Sequence, residues 1–219
     1  YSGDFTEFIV LLLDNNQHLD LTNAFGTGNP YAARIGAISL SNTTLNGSEF
    51  NFKSMSVLGN FNASSSTILG EMSETAFDRV TIYGDFDLNS ATIDGGFANG
   101  SFFGASIGGN FNMRSAIISG GIVDGAFTAA NFMGDFDMSS ATISGGVTDG
   151  AFTAVFIGGT FNMSLATVSV GIQNAVFSGG TIHGHFDRTF ATRYSGISNF
   201  GFGSLHILDK PLVIGTRFI

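Results

Sequence analysis

Cysteine and tryptophan are absent from this 219-residue chain, and proline occurs only 2 times. Without cysteine there is no disulfide framework, no thiol nucleophile and no thiolate metal site. Charge is scarce too. Asp, Glu, Lys and Arg make up 11% of the residues, where about 25% is usual for a soluble domain. Lys and Arg total 8, spread along the chain, and the net charge is -9. Nucleic-acid partners need a basic stripe, so that class is excluded. With 4 Tyr and no Trp, the residues that stack on sugars or girdle a membrane barrel are few, which argues against a polysaccharide-cleaving β-helix enzyme and an outer-membrane barrel. The apolar run from Phe8 to Leu13 falls far short of the ~20 residues that cross a bilayer as a helix. No transmembrane span is expected.

What the chain has instead is Gly, 31 times, and Phe, 24 times. They are ordered. Phe61, Phe86, Phe111, Phe136, Phe161 and Phe186 recur at steps of 25 residues, each with Gly two places before and Asn or Asp one place after. Phe77, Phe102, Phe127, Phe152, Phe177 and Phe202 form a second column at the same step. Ile82, Ile107, Phe132, Ile157, Ile182 and Ile207 form a third, and Ser66, Ala91, Ala116, Ala141, Ala166 and Ala191 a small-residue fourth. Gly96, Gly121, Gly146, Gly171 and Gly196 mark bends. The repeat body runs over 34–208. Its first copy, 34–56, is degenerate: Gly36, Thr44, Leu45 and Gly47 match Gly59, Thr67, Ile68 and Gly70 at a spacing of 23. Residues 1–33, a cap or assembly segment, and 209–219, an apolar strand, lie outside it.

Short runs of Phe, Ile, Val and Thr between Gly pairs and Ser, Asn or Asp clusters read as strands. Gly is too frequent for helices, and no uninterrupted helical stripe is present. Only residues 4–13 fit a helix, with Asp4 and Glu7 as a capping box, and a strand fits them equally. The class is therefore all-β. Two architectures satisfy the columns. In a β-solenoid each 25-residue unit is one coil and equivalent residues are direct neighbours about 4.8 Å apart. In an antiparallel meander or barrel each unit is a hairpin and equivalent residues sit two strands apart. The solenoid is the expectation and the meander or barrel the alternative.

Within the unit runs a five-residue rhythm: Ile117, Ile122, Phe127, Phe132, and Val147, Phe152, Ile157. Its spacing resembles that of pentapeptide-repeat proteins, in which a central Leu or Phe points into a narrow coil. Five such units per repeat do not fit the four-sided coil of that family. The segments Gly134 to Gly145 and Gly150 to Phe161 resemble the strand-turn-strand motifs of transferrin-binding-protein-B-like surface lipoproteins, a resemblance that implies a barrel. Taken together, these features resemble Gly/Phe-rich β-repeat surface proteins of bacteria.

Candidate sites are few. His183, His185 and Asp187, alternating along one strand, would share a face and meet one transition-metal ion. Asp85, Asp87, Asp135 and Asp137 offer clustered oxygens of the kind Ca²⁺ prefers, against the plainer reading of turn-capping side chains. Asn62, Asp87, Asn112, Asp137, Asn162 and Asp187 alternate amide and acid, which would let each Asn donate to acids on both sides if the positions are direct neighbours. Otherwise no cofactor is expected. Asn42, Asn46 and Asn99 are the glycosylation candidates. Phe8, Val10 and Leu12, with Leu212, Val213, Ile214 and Phe218, are the candidate assembly residues, since an open solenoid end must be capped or paired.

The expected function follows from composition and repeat. It is a secreted, non-enzymatic structural protein, extracellular or on the cell surface, that polymerises with copies of itself into a filament or surface layer. The chain begins at Tyr1 rather than Met, and removal of a signal segment is one expectation that fits that location. The alternative is a cell-surface adhesin or ligand-binding barrel that contacts a host or cell surface.

Overall fold

The computed structural model describes residues 34–47, 52–73, 76–174, 176–193 and 205–208. The helix-or-strand segment 4–13 and the apolar segment 209–219 lie outside these.

One coil shows how the sequence winds. Ser106–Ile107 is a strand, with Ile107 buried. The chain bends at Gly108 and Gly109 into the strand Phe111–Asn112, where Phe111 is buried. Ser115 adopts a left-handed backbone (φ 56) and turns the chain into Ile117–Ile118, where Ile118 is buried. Gly121, at φ 95, bends it again. Ile122 then bridges to Phe97 and Val147, and a turn segment with positive φ at Asp124, Gly125 and Ala129 returns the chain to the next strand. A Cβ at Gly121 would be strained in that conformation whatever the space around it.

The same coil is stacked repeatedly. The strands form three parallel sheets of eight, seven and seven members. Partners are 25 residues apart: Ile107 lies on Ile82 and Phe132, Phe111 on Phe86 and Phe136, and Ile118 on Ile93 and Ile143. The turn segment is bonded through as well, Phe127 N–H to the Ala151 carbonyl at 2.8 Å and Ala129 N–H to Thr153 at 2.9 Å. The molecule is a β-solenoid. Every strand pairing is parallel and equivalent residues are direct neighbours, so the antiparallel meander or barrel, and the barrel implied by the surface-lipoprotein resemblance, are ruled out. No helix occurs among the described residues.

The first coil is shortened where the sequence suggested. Thr44 pairs with Thr67 and Ile38 with Phe61, 23 residues on, but Arg34 pairs with Ser56, only 22 on. The missing residues fall in the bends, so the strands keep register.

The core is a column of rings. Phe61, Phe86, Phe111, Phe136 and Phe161 stack at centroid spacings of 4.7 to 5.1 Å. Phe52, Phe77, Phe102, Phe127, Phe152 and Phe177 form a parallel stack, spaced 4.7 to 5.2 Å. The two stacks meet edge to face, for example Phe111 on Phe102 at 5.2 Å and on Phe127 at 5.4 Å. Burying each ring contributes roughly 1.5–3 kcal/mol, and each favourable ring pair adds about 0.5–1.5 kcal/mol. These rings are core and not a ligand platform. The five-residue rhythm survives in part. Ile122, Phe127 and Phe132 point inward, whereas Ile117 is exposed and its neighbour Ile118 takes the inward place. The step of five holds from Phe111 to Ala116 and from Met113 to Ile118, but the bend between Ile118 and Ile122 shortens one step to four and shifts the frame.

Candidate functional site

The Asn/Asp column lies on the strand that carries the first Phe stack. Its members are direct neighbours, Asn112 between Asp87 and Asp137 and Asn162 between Asp137 and Asp187. Each Oδ1 accepts from the backbone N–H two residues on: Ser64 to Asn62 at 2.9 Å, Asn89 to Asp87 at 2.8 Å, Arg114 to Asn112 at 3.0 Å, Ser139 to Asp137 at 2.8 Å. These are turn-capping side chains, and they set up the left-handed corner that follows at Ser65, Ser90, Ser115 and Ser140. Asn112 also donates from Nδ2 to Asp87 Oδ1 at 3.1 Å, the amide-to-acid bond that alternation permits.

A second ladder runs beside it, two residues earlier. Asn60, Asp85, Asn110 and Asp135 each accept, through Oδ1, the backbone N–H of the equivalent residue in the next coil, at 2.7 to 2.9 Å. These side chains fold into the space above Gly84, Gly109, Gly134 and Gly159. A Cβ at any of those glycines would collide with the Oδ1 below it. That is why Gly stands two places before Phe86, Phe111, Phe136 and Phe161; before Phe61 and Phe186 the obstacle is the backbone of the preceding coil. The signal was present in the column itself, Asn, Asp, Asn, Asp, but its partner lies a coil away and is invisible to local reading.

Oδ1 of Asp85, Asp87, Asp135 and Asp137 accepts backbone N–H donors. Among the described residues no group of three or more His, Cys, Asp or Glu is placed to hold a metal ion. His183, His185 and Asp187 do not share one strand: Thr181–Ile182 ends before a bend at His183 and Gly184, and Phe186–Asp187 begins after it. His183 packs its ring on Phe156 (centroids 4.9 Å apart). Asp187 Oδ1 accepts from the Thr189 backbone N–H at 2.8 Å and the Thr189 hydroxyl at 2.6 Å.

An open cleft of about 410 Å³ lies on the turn segment, lined chiefly by Lys53, Asp78, Asn99, Phe103, Asp124 and Thr128. Lys53 Nζ sits 2.8 Å from Asp78 Oδ2. Arg79 Nε is 3.9 Å from Asp78 Oδ1, with its guanidinium 5.7 Å from the centre of the Phe103 ring. Asp78 is the one buried ionisable side chain among the described residues, and Lys53 compensates its charge. Lys53 and Asp78 are 25 residues apart. Opposite charges in one column were the available signal. The cleft can offer hydrogen bonds and one ring face; its floor is a structural ion pair.

Comparison with known protein families, characterised proteins and solved structures finds no match. The molecule is therefore read from its own geometry. Asn42, Asn46 and Asn99, the glycosylation candidates, are exposed, whereas Asn62 and Asn162 are half-buried in the Asn/Asp ladder. Asn99 has φ 48 and donates to Glu71 Oε1 at 3.3 Å. It belongs with Asp124, Asp149 and Asn174 to a column of left-handed turn residues. Among the described residues no helix is long and apolar enough to cross a membrane. The assembly candidates Phe8, Val10, Leu12, Leu212, Val213, Ile214 and Phe218 lie outside the described residues.

Proposed function

We propose that this chain is a non-enzymatic structural subunit, extracellular or on a cell surface, that joins end to end with copies of itself into a filament or layer. The observation that carries this reading is growth along a single axis, one parallel strand per coil in each of three sheets. The outermost strands of the three sheets are Arg34–Ile35, Ile38–Ser39 and Thr44–Asn46 at one end, and His206–Ile207, Phe186–Asp187 and Thr192–Arg193 at the other. A solenoid extends by adding coils at its end strands, whose backbone donors and acceptors template further pairing. The apolar columns run up to them, with Ile38 and Leu45 buried near one end and Ile182 and Phe186 near the other. A further coil or strand docked there would extend both the hydrogen-bond ladder and the core.

The apolar segments 5–13 and 211–219 are the proposed joiners, by strand addition to the end of the next subunit. Low charge supports the same reading, because little repulsion opposes association. Negative-stain microscopy tests it. Uniform fibres are expected from the purified chain and their loss on deleting residues 211–219. Dispersed particles at high concentration would overturn end-to-end assembly, and intact fibres after the deletion would remove the C-terminal segment from that role.

A further inference from the structure

The first sheet, the eight-stranded one, has an outer edge column that reads, coil by coil, Gly36, Leu58, Tyr83, Gly108, Met133, Gly158, His183, Leu208. Its large members are exposed: Leu58 45%, Tyr83 60%, Met133 56% and Leu208 60%. From Ser56 to Leu208, neither this column nor the outward column beside it (Ser56, Thr81, Ser106, Asn131, Phe156, Thr181, His206) holds Asp, Glu, Lys or Arg. Apart from Arg34 on the first strand, the two columns are uncharged, with projections and gaps.

We infer that this face is a contact between two copies of the chain, packed face to face with their axes antiparallel. The pattern is self-complementary under one two-fold axis, perpendicular to the solenoid and midway between the coils of Gly108 and Met133. That axis overlays all eight strands of one sheet on all eight of the other. Each column then meets its own reverse. Leu208 faces Gly36, Tyr83 faces Gly158, and Met133 faces Gly108, so every glycine gap receives a large side chain. Leu58 faces His183. In the neighbouring column Phe156 faces Thr81, and Asn131 faces Ser106.

Charge agrees with shape. The ladder flanking this face is Asn60, Asp85, Asn110, Asp135, Thr160, His185. Under the same axis Asp85 faces Thr160, Asp135 faces Asn110 and His185 faces Asn60. No carboxylate meets another. Parallel, in-register pairing about an axis running along the Tyr83 column would instead set Tyr83 on Tyr83 and each glycine on a glycine, a clash beside a gap. A two-fold contact in which residue i meets j and j meets i is the commonest form of self-association. Eight strands at about 4.8 Å spacing, five residues wide, bury roughly 1,100 Å² over both copies, just above the ~1,000 Å² that a specific interface needs. The contact is a reversible one.

This contact is lateral and independent of the end-to-end joining proposed above. The chain contains no cysteine, so single thiols can be placed cleanly. Leu58→Cys and His183→Cys are prepared separately and treated with a short bis-maleimide, alone and mixed. Expected is a covalent dimer from the mixture and none from either variant alone. Cross-linking of each variant with itself would overturn the antiparallel arrangement, and no cross-link in any sample would overturn the contact. In sedimentation, Met133→Lys, whose side chain touches solvent, should weaken the dimer at least about tenfold while circular dichroism stays unchanged. A dimer unaffected by Met133→Lys refutes the face, and fibres that persist in this variant leave the end-to-end reading standing.

Discussion

Asp135 Oδ1 accepts a 2.7 Å hydrogen bond from the backbone N–H of Thr160, one full coil further along the chain. The bond locks one coil to the next outside the sheet ladder, and it fills the space that Gly159 leaves open. Only an acceptor oxygen is asked of the side chain.

Asp135→Asn should therefore be nearly silent, within about 0.5 kcal/mol, because Asn60 and Asn110 already do the same with an amide oxygen. Asp135→Ala should cost about 0.5–1.5 kcal/mol, the usual net worth of such a bond. Urea denaturation of the three proteins measures both. Equal losses for Asn and Ala would show that charge, not acceptance, is what the position supplies.

Gly159→Ala should destabilise because its Cβ strikes Asp135 Oδ1, and Gly120→Ala should destabilise more, because its Cβ strikes the Gly95 carbonyl oxygen. A side chain can turn away more readily than a backbone carbonyl can. The difference is checked by combining each with Asp135→Ala. That change should recover part of the Gly159→Ala loss, a coupling of about 0.5–3 kcal/mol, and none of the Gly120→Ala loss.

Phe111→Ala should cost about 3–5 kcal/mol. The ring stacks on Phe86 and Phe136 and meets Phe102, Phe127 and Phe132 edge to face. Calorimetry on Phe111→Ala and Phe111→Leu gives the measure, with the leucine variant closer to the parent. A loss below about 1 kcal/mol for alanine would mean that the stack is not the core that holds the coils.

Ser101→Ala should stabilise the protein by about 1 kcal/mol. Ser101 stands in a column with Ala76, Ala126 and Ala151, is buried, and its hydroxyl has no hydrogen-bond partner. A rise in melting temperature is expected. A fall would reveal a partner for that hydroxyl.

The coil was legible because identical residues at a step of 25 must either stack or alternate, and strand-length runs between bends favoured stacking. The shortened first copy was legible too, from Gly36, Thr44 and Leu45. What was not legible were relations between coils. The role of Gly159 depends on Asp135, and the ion pair of Lys53 depends on Asp78. The corners were hidden for a different reason. Ser115, Leu165 and Phe190 take left-handed backbone angles without the Gly or Asn that usually announces them. The stacked ladder imposes the angle once the neighbouring coils have set it. The single strand expected through His183, His185 and Asp187 was not legible either, because alternation implies a common face only where the strand is continuous, and the chain bends at Gly184.

The two Asx ladders carry a period of their own. Acidic coils (Asp85 with Asp87, Asp135 with Asp137) are separated by a neutral one (Asn110 with Asn112). Geometry repeats with every coil, whereas charge repeats with every second. A chain lacking residues 100–124 would wind just as well on backbone terms, yet would set four carboxylates on adjacent rungs. One lacking 100–149 would bring Thr160 and Asn162 against Asp85 and Asp87. Loss of a neutral coil alone is thus penalised where loss of an adjoining pair is not, and the charge pattern has a unit of fifty residues, twice the visible repeat.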